Sequence, residues 1–280
     1  MSYFDQADPA ALARDFPLGD DFLERFRSLS RDELRARQET QFASAVARAW
    51  KTGFYKRLWG EKGIEPGDIR GLDDLTKLPV FDKADLMASI EQHPPYGDFS
   101  GADPETRVIV HTTSGTTGRP QTLLFGPKSR EIQNLLLARV YRFQGLTDAD
   151  VVHSVYGFGM INGGHYVREA LLHWTNALML PAGTGAETRS AQQVALMRDF
   201  GVTAVVGFAD FIRRLADVAR EQGIELGRDI PVRLISGHLG REDRDALSAA
   251  WGGAAVYDWY GVGDTGIIAA EGPVSPTAST

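Results

Sequence analysis

The chain has 280 residues, 43% hydrophobic and 24% charged, with a formal net charge of -7 at pH 7 and no cysteine. That length can bury a large core in one or two domains, and the negative balance argues against nucleic acid or an anionic membrane as partner. Without thiols there are no disulfides, thiolate nucleophiles or Cys-ligated metals, and a reducing cytoplasm is the expected location.

No apolar run approaches the ~20 residues of a membrane helix, and MSYFDQADPA lacks the basic-then-apolar layout of a signal peptide. Residues 1–100 read as mainly helical, a cap expected to pack on a larger domain. Between 31 and 50, Phe42, Val46 and Trp50 recur at spacing four with Leu34 on the same stripe, which predicts an amphipathic helix. Phe54-Tyr55-Lys56-Arg57-Leu58-Trp59 follows, and Pro66-Gly67 marks a turn. Asp73 is expected to cap a short helix that Pro79 stops, and Asp82 a second one over 84–90. Residues 91–106, rich in Pro, Gly and Asp, read as a linker.

Two β-rich runs, Val108-Ile109-Val110 and Leu123-Leu124-Phe125, then bracket Thr112-Thr113-Ser114-Gly115-Thr116-Thr117-Gly118. Five hydroxyls and two glycines do not build core. They suit an anion, because glycine lets backbone N–H groups close in and hydroxyls donate further bonds; a polyphosphate is the natural guest. The Gly-Lys-Ser/Thr ending of a Walker A loop is absent, and a strand, not a helix, follows. A plain polar hairpin turn is the competing reading.

Residues 129–143 predict a helix with Ser129 as N-cap and Ile132, Leu135, Leu136, Val140 and Phe143 on one face. The strand Val151-Val152-His153-Ser154-Val155 runs into a loop, Tyr156-Gly157-Phe158-Gly159-Met160-Ile161-Asn162-Gly163-Gly164-His165, whose interleaved aromatics and glycines can stack on a planar group. Its G-x-G lacks the third glycine of a dinucleotide fingerprint. From 177 the pattern alternates: strands at 177–180, 202–206, 232–235 and 254–257, separated by a Gly183-Thr184-Gly185 turn and by helices at 191–200, around Phe211, Ile212, Leu215 and Ala219, and at 241–251. Nearly unbroken apolar strands between helices predict an α/β fold, a mostly parallel sheet covered on both faces. Ligands of such sheets gather beyond the carboxyl ends of the strands, where Ser236-Gly237-His238-Leu239 and Asp258-Trp259-Tyr260-Gly261 fall.

Thr113 to Pro120 resembles the phosphate-loop signature of the adenylate-forming superfamily of acyl-CoA synthetases, peptide-synthetase adenylation domains and luciferases. Many members carry Lys after the proline; Gln121 here resembles the phenylacetate-CoA ligase branch. The order of residues 54–86 is similar to the N-terminus of that branch, an aromatic segment followed by spaced Gly, Pro, Asp-Leu and Leu-Pro, with Lys83 and Leu86 in place. Tyr260-Gly261-Val262-Gly263-Asp264 resembles the superfamily's Y-G-x-S/T-E motif, with Gly263 lacking the hydroxyl, Asp264 one methylene shorter, and Thr265 offering a hydroxyl one residue on. Gly237 is the one residue matching the G-A-E-P segment that lines the adenine and acyl pockets, and His238 stands beside it, either narrowing the pocket, bonding a polar acyl group, or serving as a loop histidine without a ligand.

The resemblance implies the N-terminal α/β domain of an adenylate-forming enzyme over 101–272, a helical cap over 1–100 and a disordered tail at 273–280, with the small C-terminal domain absent. It assigns phosphate to Thr113, Ser114, Gly115, Thr116, Thr117 and Gly118. It assigns adenine and acyl group to Tyr156, Phe158, Gly237, His238, Asp258, Trp259, Tyr260 and Gly261, and Mg²⁺ to Asp264; plain core aromatics would look the same at Tyr156 and Phe158. The implied reaction joins a carboxylic acid to coenzyme A through an acyl-adenylate, using ATP. Its nucleophile, a carboxylate with pKa near ~4, is already ionised and needs no general base, which suits a chain with six His and no convincing Ser/His/Asp set. The family's ribose-binding Asp and catalytic Lys would lie beyond Thr280, so a fragment or truncated homologue is expected. Two alternatives stay open: a nucleotide- or acyl-adenylate-binding relative without full turnover, and transfer to an amine or carrier protein. The substrate expected is an aryl or small organic acid, with His238 and Asn162 suiting a smaller or hydroxylated one, and a homodimer is admitted.

Overall fold

The computed structural model describes residues 2–99, 109–113, 115 and 120–273. By their contacts the residues form two units, Glu24–Gly126 and Met1–Leu23 with Pro127–Thr280. Residues 1–23 belong to the second of these units. Of the tail expected at 273–280, residues 274–280 lie outside the described residues.

The chain opens with α1 (Tyr3–Ala7), α2 (Pro9–Asp15) and α3 (Gly19–Arg27). In the 24–126 unit, α4 (Arg31–Ala49) starts at a capping box of Ser30 and Glu33. Its predicted stripe is real: Val46, with Phe42 and Trp50, packs on Trp59 and Ile69, and the Trp50 and Trp59 rings meet edge-on at 5.0 Å. In α5 (Gly53–Gly60), Phe54 contacts the Tyr55, Phe81 and Phe99 rings, while Arg57 Nη1 pairs with Asp98 Oδ2 at 2.5 Å. The aromatic start of the family-like stretch at 54–86 is therefore a packed ring cluster. Asp73 does not cap: it lies inside a 3₁₀ helix (Leu72–Lys77) whose N-cap is Gly71, and it accepts from Arg35 Nη2 at 2.7 Å. Asp82 does cap α6 (Lys83–Gln92), in a box with Asp85. Strands β1 (Ile109–Thr112) and β2 (Thr122–Phe125) pair antiparallel, Thr112 opposite Thr122.

The other unit runs α7 (Pro127–Phe143), β3 (Val151–Ser154), α8 (Asn162–Trp174), β4 (Leu178–Pro181), α9 (Ser190–Asp199), β5 (Ala204–Phe208), α10 (Ala209–Glu221), β6 (Leu234–His238), α11 (Arg244–Ala250), β7 (Ala255–Val262) and β8 (Gly266–Ala270). The sheet order is β4-β3-β5-β6-β7-β8, parallel from β4 to β7, with β8 antiparallel at one edge. Side chains alternate across it: Val205, Ile235 and Val256 join Met197, Ile212, Leu215, Leu247 and Trp251 on one face. Val152, Ala204, Val206 and Leu234 join Leu137, Tyr141, Val167 and Leu171 on the other. Because both faces are covered, the strands read as apolar runs, and the α/β expectation holds.

The N-terminal ends of three strands are tied by one carboxylate. Asp150, just before β3, is 3% exposed and accepts from Thr147 N (2.7 Å), Thr203 Oγ1 (2.7 Å) and Arg233 Nε (3.0 Å). Burial pushes its pKa up, and these bonds more than offset it, leaving the carboxyl below its ordinary value.

Several expectations are corrected. Ser129 lies in the first turn of α7, which starts at Pro127, and is not its cap. The predicted apolar face is mostly half-buried; the buried one carries Arg130, Glu131, Gln133 and Asn134 beside Leu135, Leu137, Ala138 and Tyr141. Those charges are paired: Glu131 accepts from Tyr3 Oη (2.7 Å) and Trp174 Nε1 (2.8 Å) and meets His173 Nδ1 (2.9 Å), and Arg130 Nε reaches Glu169 at 2.5 Å. A hydrophobic pattern is blind to a face buried by ion pairs. The loop expected through His165 ends at Ile161, where α8 is capped. Strands β5, β6 and β7 run past the glycines expected to end them, and β8 is a strand the sequence pattern does not predict. The reason is close approach: Gly207 and Gly237 are registered partners, and a Cβ on Gly237 would stand 1.7 Å from Gly207 O.

Candidate functional site

The parallel strands set their carboxyl ends side by side, and four rings gather there. Tyr156 follows β3, Phe208 ends β5, His238 ends β6 and Trp259 lies in β7. The His238 ring centroid is 4.2 Å from Trp259, 5.2 Å from Phe208 and 6.0 Å from Tyr156, and Tyr156 meets Phe208 edge-on at 5.2 Å. Tyr156 and Trp259 are buried, His238 is partly covered and Phe208 is half exposed. Burial, and then the charge of Asp258, pushes the Tyr156 phenol up.

His238 Nδ1 lies 3.0 Å from Trp259 O. A carbonyl oxygen only accepts, so Nδ1 carries the proton and Nε2 is a bare acceptor. Burial lowers the ring's pKa against the opposing bond to Trp259 O and the charge of Asp258, so the imidazole is neutral at pH 7.

Asp258 Oδ1 accepts weakly from Leu239 N (3.4 Å), and Asp258 N donates to Glu271 Oε2 at 2.8 Å. Glu271 pairs in turn with Arg244 Nη2 (2.7 Å), and the Asp258 N–H followed by this pair holds its carboxyl below the ordinary range. Tyr260 points outward, 61% exposed. Gly261 permits the tight β7–β8 turn, since a Cβ there would sit 2.7 Å from Gly266 O. Asp264 is exposed in that turn, and its carbonyl accepts from Gln133 Nε2 at 2.9 Å, while Tyr166 Oη takes the Ile267 N–H at 3.1 Å. Helices α7 and α8 thus hold the turn in place.

Phe158 stands apart from the four rings and packs edge-on against His165 at 5.4 Å. Its loop is organised by Glu187, which accepts from Phe158 N (3.0 Å), Thr184 N (2.9 Å) and the Thr184 hydroxyl. Glu187 and Phe208 were missed by sequence reasoning. Phe208 could have been found as the residue in the strand-end position equivalent to His238; nothing in the sequence singles out Glu187.

In the 24–126 unit, the hairpin ladder continues into the hydroxyl loop through Thr113 N to Gln121 O and Gln121 N to Thr113 Oγ1, both 3.0 Å. Gly115 has φ +68°, a left-handed conformation that favours glycine. The expected phosphate ligands Ser114, Thr116, Thr117 and Gly118 lie outside the described residues. Among the described residues no group of three or more His, Asp or Glu is placed to hold a metal, and no helix is long and apolar enough to cross a membrane.

No protein-family model matches the chain. Phenylacetate-coenzyme A ligase of Thermus thermophilus is 32% identical over 202 residues, 70% of this chain and 42% of that protein. The Aromatoleum evansii protein of the same name is 29% identical over 248 residues, 86% of this chain and 53% of its own. A crystal structure of 2-hydroxyisobutyryl-CoA ligase in complex with 2-HIB-AMP and CoA aligns at a TM-score of 0.77 and 29% identity, over 84% of this chain and 50% of that one. The chain spans about half the length of the relatives it matches.

Proposed function

The chain belongs to the adenylate-forming superfamily, in its phenylacetate-CoA ligase-like branch, and from that premise we propose that it serves the ATP-dependent ligation of an aryl or small organic acid to coenzyme A. The observation that carries the reading is the aromatic chamber at the strand ends, with Tyr260 and Asp264 following on the same strand and turn. Tyr156, His238 and Trp259 wall the acyl group and exclude water. The exposed ring of Tyr260 offers a stacking face for adenine. Within the 24–126 unit taken by itself, the hydroxyl loop that starts at Thr113 and Gly115 suits an anion.

The acid attacks as a carboxylate, so the protein's work is placement and charge neutralisation, not proton removal. Asp264 fits Mg²⁺, being an exposed hard oxygen donor on a turn braced by Gln133; the ion needs only one or two carboxylates besides phosphates. When bound, Mg²⁺ supplies neutralisation of phosphate charge.

Pyrophosphate release with a panel of acids, beside calorimetry with ATP and Mg²⁺, tests the reading. Release that depends on one class of acid supports ligation. Gly263 and Asp264, where the superfamily motif has a hydroxyl residue and a Glu, favour a second reading, a nucleotide-binding relative without full turnover. ATP binding with no release for any aryl or small acid would establish that one instead.

A further inference from the structure

Resting on the assignment of the strand ends to the acyl group, we propose that the acid taken by this protein carries a hydroxyl on its acyl part, received by Nε2 of His238. The bond from Nδ1 to Trp259 O fixes the tautomer, and with it the chemistry offered to a ligand: a neutral acceptor with no proton to give. The ring is held in that orientation by Trp259 at 4.2 Å on one side, Phe208 at 5.2 Å on another and the Tyr156 edge at 6.0 Å. Rotating it would break the bond to Trp259 and disturb three ring contacts. Among the described residues Nε2 meets no hydrogen-bond partner.

An acceptor fixed within aromatic walls discriminates by what it loses. A ligand hydroxyl satisfies it; a methyl or hydrogen in the same place strips its water and returns nothing. A second carboxylate on the ligand would have no proton for Nε2, so a hydroxy monocarboxylic acid is the class that fits.

The experiment uses the 280-residue chain and two matched pairs, 2-hydroxyisobutyrate against pivalate and 4-hydroxyphenylacetate against phenylacetate. Affinities are read with ATP and Mg²⁺ by calorimetry and by tryptophan fluorescence, since Trp259 adjoins His238. In at least one pair the hydroxylated member is expected to bind about tenfold tighter. In His238→Phe, which keeps a ring but has no acceptor, the ratio should fall to about one, while His238→Gln should retain part of it. The ratio is internal to each protein, so a partly folded variant still reports it. ATP binding with equal affinity within both pairs, or a preference that survives His238→Phe, overturns the inference and leaves the ligase reading standing. Absence of both ATP and acid binding overturns both.

Discussion

Gly237→Ala tests whether the site depends on two strands touching. Its Cβ would lie 1.7 Å from Gly207 O, 2.8 Å from Gly207 C and 3.0 Å from Gly207 N, all backbone atoms of the neighbouring strand. No rotamer can relieve that, so β5 and β6 must part by more than about 1 Å in the middle of a packed sheet. Overpacking of this kind costs about 1–3 kcal/mol, and one or two weakened ladder hydrogen bonds add about 1 kcal/mol each, roughly 2–5 kcal/mol together. At about 2–4 °C per kcal/mol, Tm should fall by roughly 10 °C. Phe208 and His238 are the next registered pair, so opening the strands also separates two walls of the chamber and weakens acid binding. Calorimetric melting of the variant gives the answer, with Gly163→Ala as control: its Cβ would stand 3.6 Å from Tyr156 Cδ1, an ordinary contact, and no loss is expected. A Gly237→Ala melt within about 2 °C of wild type would refute the close-approach argument.

Four further outcomes follow from the geometry. Asp150→Ala leaves donors from Thr147, Thr203 and Arg233 without an acceptor and should cost about 3 kcal/mol in urea titrations at pH 7. Because the Asp150 pKa is depressed in the fold, its stabilisation is present above the unfolded value and lost as pH falls through the folded one; the variant's stability should be flatter on that acid limb. His173 titrates with the opposite sign: its bond to Glu131, ahead of the opposing burial, raises its pKa above 6.5, so stability present below 6.5 is lost as pH rises through the folded value, and His173→Phe should abolish that slope. Glu187→Ala should release the Phe158 and Thr184 N–H groups and lower stability by about 1–2 kcal/mol in urea titrations. Asp264→Asn should weaken Mg²⁺-dependent ATP binding by about tenfold and leave binding measured in excess chelator unchanged.

The helix stripe of Phe42, Val46 and Trp50, the Asp82 cap and the alternation of strands and helices from 151 onward were all written in local pattern, because periodicity and capping depend on neighbours in the chain. Tertiary structure decided what pattern cannot encode. The buried face of α7 is set by Glu131 and Arg130 finding partners on α1 and α8, contacts up to 128 residues apart. The extent of β5 and β6 depends on two glycines in register, and β8 forms by pairing back on β7 with its Ile267 N–H held by Tyr166 on α8. The chamber itself joins residues 156, 208, 238 and 259, brought together only by a parallel sheet that aligns its strand ends. The lone pair on His238 was decided last and furthest from sequence, by a single carbonyl on the adjacent strand.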